Sequence, residues 1–205
     1  MPINRKPYSA AMTKCLFWFQ EFKTVAGLLN QGQSLTQIKA KNAQENIFQA
    51  RTPHRGRIIF NAVAARIGSL PPDFLPFFEK ADFPTQKLVC LTSVLSYDSL
   101  FFDFMYEVYR EKIITGAGMI TPGDTARFFK NKQAQDEKVA AWADGTFDRI
   151  AWAYKGILLN AGILNKTGRK TEWVIEKPIL NADLIKLLEK NDMGVFIAAF
   201  SGDAV

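Results

Sequence analysis

SLTQIKAKNAQENIFQARTPHRGRIIFNAVAARIG, residues 34–68, reads as two helices joined by a short turn. Ser34 and Gln37 have the spacing of a capping box, which starts a helix running to about Phe48. Thr52 offers a side-chain oxygen to the first turn of the next helix, and Pro53 suits its first position, where no amide N–H is needed. That helix should end at Gly68, just ahead of Pro71 and Pro72. Ile59, Ala62, Val63, Arg66 and Ile67 mark its packed stripe. Helical periodicity then puts His54, Arg57 and Asn61 on the opposite side, at i, i+3 and i+7, as one outward ridge.

A ridge of this kind has the shape to enter the major groove of DNA with its N-terminal end toward the bases. Arg57 carries the two parallel donors that read guanine, and the Asn61 amide matches adenine. Arg51, Arg55, Lys39 and Lys41 would face phosphates, and the helix N-terminus adds favourable dipole charge. Thr52 and His54 complete the candidate DNA-binding set of this segment. The alternative is a plain solvated helix face in a three-helix bundle. The charge distribution favours DNA. Residues 1–75 hold ten Lys and Arg against three Asp and Glu, residues 76–140 eight against nine, and residues 141–205 eight against eight. The whole net excess of +6 is therefore N-terminal, as a docked polyanion requires.

Outward from this core segment, Cys15, Trp18, Phe19, Phe22, Val25, Ala26 and Leu29 recur at helical spacing and predict an amphipathic helix that stops near Gly32. Thr85 to Ser96 predicts another helix. Asp98 caps the next, apolar nearly all round from Phe101 to Ile113 and closed by Gly116 and Gly118. Thr121, Pro122 and Asp124 open a further helix with a cap, a proline and an acidic first turn. From Glu137 the order is a short helix, a capped turn at Asp144–Thr146 and a helix from Phe147 to Ala161 ended by Gly162. A hairpin follows: Ile163 to Asn165, a basic polar turn, then Thr171 to Glu176 in strict alternation. A last helix runs from Asn181 to Lys190, and residues 193–200 are apolar but unassigned. The expected fold is mainly α: a helical bundle with an N-terminal helix-turn-helix and a C-terminal winged helix carrying a small β-hairpin. The expected regions are 1–75, 76–118 and 119–205.

In the winged helix, Lys166, Thr167, Arg169 and Lys170 at the hairpin tip would touch DNA backbone, with Lys155 from the preceding helix. Asp144 and Asp148 near the start of that helix count against phosphate there. Trp152 and Leu159, expected to face outward, would instead suit protein docking. Glu107 and Glu111 share a helix face and read as solvated surface.

Other chemistries find little footing. His54 is the single histidine and there are two cysteines, Cys15 and Cys90, both inside apolar helical patterns and expected as buried free thiols. No phosphate-binding glycine loop is present, and Gly116-Ala-Gly118 follows a helix rather than a strand. No cofactor, metal or catalytic residue is expected. The start of the chain does not resemble a signal peptide, and no apolar run approaches the roughly 18 residues of a membrane span, so a cytoplasmic protein without membrane contact is expected. The 17 Phe should sit mainly in the core.

The stretch Glu21 to Gly32, then Ser34 to Ile38, Glu45 to Thr52 and Arg57 to Ile67, resembles the N-terminal half of the BrxA family of bacterial BREX phage-defence systems. Phe102 to Val108, Lys112, Asp124, Phe128, Phe129, Trp142, Thr146 and Leu158 to Leu164 resemble the remainder, in the same order. The resemblance implies a small accessory component encoded beside an ATPase and a methyltransferase, helical with helix-turn-helix character, binding double-stranded DNA and offering no catalytic residues. It also implies other BREX proteins as partners. The family has a likeness in shape to the antitermination factor NusB, so RNA binding stands beside two other readings: DNA binding and a protein–protein scaffold. The oligomeric state stays open.

Overall fold

A computed structural model describes residues 5–14, 16–165 and 172–203. The chain forms two compact units. One is contiguous, Trp18–Tyr97; the other combines Met1–Phe17 with Asp98–Val205. The secondary structure is mainly α, as the sequence predicts, with one small antiparallel sheet. Among the described residues, no single helix is long and apolar enough to cross a membrane.

The contiguous unit holds α1 (Phe19–Asn30), α2 (Leu35–Glu45), α3 (Pro53–Ile67), α4 (Phe74–Lys80) and α5 (Phe83–Tyr97). Helix α1 begins later than its apolar spacing predicts. Trp18 takes a left-handed conformation (φ 51, ψ 46) just before it, and Cys15 lies outside the described residues. A left-handed tryptophan costs on the order of 1–2 kcal/mol. Burial offsets it: Trp18 is almost wholly enclosed, with the guanidinium groups of Arg55 and Arg66 each 5.3 Å from its ring centroid. Phe19 and Phe22 of α1 meet Phe78 of α4 at 6.3 and 5.1 Å between ring centroids. Helix α4 is only two turns long and follows two prolines, so no periodic signal announces it. Helix α5 is buried on nearly every face, and its Cys90 is a free thiol whose pKa burial pushes up to about 12.

In the discontinuous unit a 3-10 turn (Ala10–Lys14) packs on α10 (Asp144–Ala161). The single helix expected after Asp98 is α6 (Ser99–Phe104), a π-turn (Met105–Tyr109) and α7 (Arg110–Ile114) in direct succession. Asp98 caps it by accepting the Phe101 N–H at 2.8 Å. Then come β1 (Met119–Ile120), α8 (Pro122–Gln135) and α9 (Glu137–Ala140), followed after α10 by β2 (Leu164–Asn165), β3 (Trp173–Ile175), α11 (Ala182–Lys190) and α12 (Gly194–Ser201). The expected turn at Asp144–Thr146 is already the first turn of α10. Gly162 ends that helix in a left-handed conformation (φ 84), which an L side chain resists. The sheet has the order β1-β3-β2, with Ile120 opposite Trp173 and Leu164 opposite Ile175. The sequence predicts only the β2–β3 hairpin; β1 is too short to show alternation. The unassigned residues 193–200 form α12, which buries Phe196 and Phe200.

Aromatic rings fill this unit. Tyr154 stacks on Phe101 at 4.1 Å, and Phe104 packs near Phe128, Tyr154 and Trp173. Next to them lies an ionic cluster centred on two buried groups, Asp103 and Lys132. Asp103, 2% exposed, receives Arg5, the Tyr8 hydroxyl at 2.5 Å and Lys132 Nζ at 3.0 Å. Lys132 also donates to Glu107 at 2.6 Å; Glu107 is exposed, as the sequence suggests, and its carboxylate takes part in this ion pair as well. Burial alone would lower the Lys132 pKa, but hydrogen bonds to Glu107 and Asp103 outweigh it and hold the amine above its ordinary value. On α8, Thr121 and Asp124 form the predicted capping box, and Lys112 pairs with Asp124 at 2.8 Å. Desolvation pushes the Asp124 carboxyl up, but Lys112 and Thr121 prevail and hold it below the usual carboxylate range.

Two measurements check these assignments. Lys132→Ala leaves the buried Asp103 without its ammonium partner and should destabilise the protein by about 3–5 kcal/mol in urea unfolding. Asp124→Asn should cost about 1 kcal/mol at neutral pH through the cap and ion pair. Because the folded pKa of Asp124 is depressed, its contribution is present above the unfolded carboxyl value and lost as pH falls through the folded one. The stability gap between wild type and Asp124→Asn should therefore close in acid; a gap unchanged down to pH 2–3, roughly below the usual Asp range, would refute the pairing.

Candidate nucleic-acid interface

The α2–α3 pair is built by local chemistry. The Ser34 oxygen accepts the Gln37 N–H while the Gln37 side chain takes the Ser34 N–H at 2.7 Å, completing the predicted capping box. Helix α2 stops at Asn46, which is left-handed (φ 49), three residues short of the expected end. The Asn46 side chain then clamps the turn, donating to the Ala50 carbonyl and accepting the Ala50 N–H, both at 2.9 Å. Thr52 caps α3 by accepting the Arg55 N–H at 3.1 Å. Buried Gly56 of α3 faces α2. The Asn42 side chain donates to the Gly56 carbonyl at 3.1 Å, and a Cβ added at Gly56 would meet Asn42 Nδ2 at 3.4 Å.

This scaffold buries Ile59, Phe60, Val63, Arg66 and Ile67 and leaves His54, Arg57 and Asn61 exposed along one face of α3. Arg51 is exposed ahead of its first turn. On α2, Lys39 is exposed and Lys41 is half-buried in a long i,i+4 ion pair with Glu45, 3.8 Å. Two predicted residues differ in detail from a free phosphate contact. The Thr52 hydroxyl is engaged as a cap, and the Arg55 guanidinium lies on Trp18. The Arg55–Trp18 contact escaped sequence reasoning because the left-handed turn that brings Trp18 there has no composition signature.

The second predicted region divides differently. Lys166, Thr167, Arg169 and Lys170 lie outside the described residues. Lys155, placed outward by helical periodicity, is in fact only 9% exposed. Its ammonium lies 5.8 Å from the Trp152 ring and 5.7 Å from the Trp173 ring, with the Glu172 carbonyl at 3.5 Å. Burial lowers its pKa. Periodicity alone could not show this, because the covering residue, Trp173, comes from β3. Leu159 is half-buried, whereas Trp152 is 63% exposed. Among the described residues, no group of three or more His, Cys, Asp or Glu side chains gathers where it could hold a metal ion.

The close approach at Gly56 makes a direct prediction. Gly56→Val should destabilise the protein by about 1–3 kcal/mol, since its γ-methyls would push into Asn42 and Ala50. A thermal melt matching wild type would mean that α2 and α3 are less tightly joined than described.

Three comparisons place the chain among known proteins. The family model described as BrxA matches residues 6–192. The BREX protein BrxA of Bacillus cereus (strain H3081.97) is 35% identical over 202 residues, which is 98% of this chain and 100% of that one. A crystal structure of an uncharacterized protein from Magnetospirillum magneticum matches with a TM-score of 0.81 at 17% identity, covering 97% of this chain and 100% of that one. At that identity the structural likeness speaks for the fold alone.

Proposed function

The chain belongs to the BrxA family, and on that premise we propose that it is a non-enzymatic accessory protein of a BREX phage-defence system that binds double-stranded DNA through α3. The observation that carries this reading is the ridge of His54, Arg57 and Asn61, exposed on a helix whose N-terminus is capped and flanked by Arg51. In it α2 and α3 act as a helix-turn-helix, with α3 in the major groove. Arg57 and Asn61 read base edges while Arg51, Lys39 and Lys41 contact phosphates. The Arg55 guanidinium, stacked on Trp18, would contribute charge with little motion left to lose. Helix α10 with β2 and β3 corresponds to a winged helix whose basic tip adds backbone contacts. Lys155, being buried, is not among them. DNA within the cytoplasm is the setting in which such a protein would meet other BREX components.

Fluorescence anisotropy tests the reading. Wild type should bind a labelled DNA duplex with steep salt dependence, and Arg51→Ala/Lys39→Ala, which removes two phosphate contacts, should weaken binding and shallow the log–log salt slope by about two. Asn61→Ala should weaken binding to preferred sequences more than to random duplex. A curve flat between low and physiological salt would sink the proposal. A-form RNA outcompeting duplex DNA would replace it with the RNA reading.

A further inference from the structure

The discontinuous unit carries a groove between α8 and α10 with a volume of about 480 Å³. Phe129, Phe147, Trp152 and Trp173 line it, with Lys155 toward one end and Asp144 and Asp148 toward the other. On α10 these charged and aromatic positions, 144, 148, 152 and 155, fall at i, i+4, i+8 and i+11, a single helix face. The groove is thus polarised: acid at the N-terminal end of α10, an aromatic middle, and an ammonium about 10 Å farther along the axis from Asp148.

We propose that this groove docks a segment of a partner protein that presents a bulky apolar side chain next to an arginine or lysine. Three features favour that occupant. First, Trp152 keeps 63% of its surface exposed at the groove's edge, and an exposed tryptophan beside a concave apolar surface is what interface anchors look like before they are covered. Second, Asp144 and Asp148 are exposed, and among the described residues neither takes part in an ion pair. The helix dipole accounts for Asp144 in the first turn. It does not account for Asp148, one turn farther in, where the dipole has faded. Third, the charges select among ligands. Two carboxylates at the mouth repel a phosphate backbone, so this face is unsuited to nucleic acid. A guanidinium could instead bridge them while its aliphatic stem lies on Trp152. The volume falls in the range of specific binding clefts, roughly 300–1,000 Å³, and accommodates an apolar side chain with room for its neighbour's stem.

The test uses the full chain, isotope-labelled for NMR, and three capped peptides: acetyl-Ala-Leu-Arg-Ala-amide, its Arg-to-Glu version and its Leu-to-Ser version. The first should shift the indole N–H signals of Trp152 and Trp173 saturably. The other two should bind about tenfold more weakly or not at all, the factor that one lost charge or anchor commands. Asp148→Asn should reduce the preference for the Arg peptide over the Glu peptide, and Trp152→Ala should weaken both. Both positions are exposed, so the spectra of the variants should otherwise overlay on wild type. Equal binding of the Arg and Glu peptides, an Arg preference that survives Asp148→Asn, or no saturable shift at millimolar peptide would overturn the proposal. A DNA duplex shifting the same two indoles would overturn it in favour of nucleic acid. None of these outcomes bears on α3, because the anisotropy titration of the DNA reading depends on neither Asp148 nor Trp152.

Discussion

Asp103 is the point on which the discontinuous unit depends. A carboxylate that is 2% exposed can stay in a protein interior only if its lost hydration is replaced in full, and here the replacements come from far along the chain. Arg5 and Tyr8 arrive from the N-terminal segment and Lys132 from α8, at sequence separations of 98, 95 and 29 residues. The aromatic packing of Phe101, Phe104, Phe128 and Tyr154 excludes water from the same region, which strengthens each ionic contact and raises the penalty for losing any one. Desolvation and Asp103 together raise the Tyr8 pKa, so its phenol remains a donor over the whole physiological range.

What the residues reveal in advance follows from the range of the forces involved. Caps are legible at Ser34, Thr52, Asp98 and Thr121 because each is a contact within three residues, written in residue type and spacing. The exposed ridge of α3 was legible because helix periodicity is also local. Features that fail to announce themselves depend on distant partners. Trp18 leaves the helix its spacing suggests because Arg55 and Arg66 await its ring. Lys155 is turned from a surface cation into a wall residue by Trp173. The π-turn over Met105–Tyr109 adds one residue to a helical turn without altering the apolar pattern that sequence inspection can count.

Charge is sorted by element as well as by sequence position. Helix α3 shows basic and amide groups on its open face, and its buried face carries Arg66 against an aromatic ring. The open face of α10 shows carboxylates and a tryptophan. A single polyanion cannot favour both surfaces.

The order in which the chain is made gives the N-terminal segment an unusual history. Trp18–Tyr97 is contiguous, so every contact inside that unit is available as soon as Tyr97 emerges from the ribosome. Arg5 and Tyr8 are synthesised ahead of that unit yet belong with Asp103 and Lys132, the last of which follows Tyr8 by 124 residues. At ordinary translation rates that is a delay on the order of ten seconds. Throughout it the segment lacks these partners, and its place is completed only after α8 and α10 have been made. Residues 5–14 are therefore a late-closing clasp on the unit that holds α6 to α12 rather than on the one that follows them in sequence.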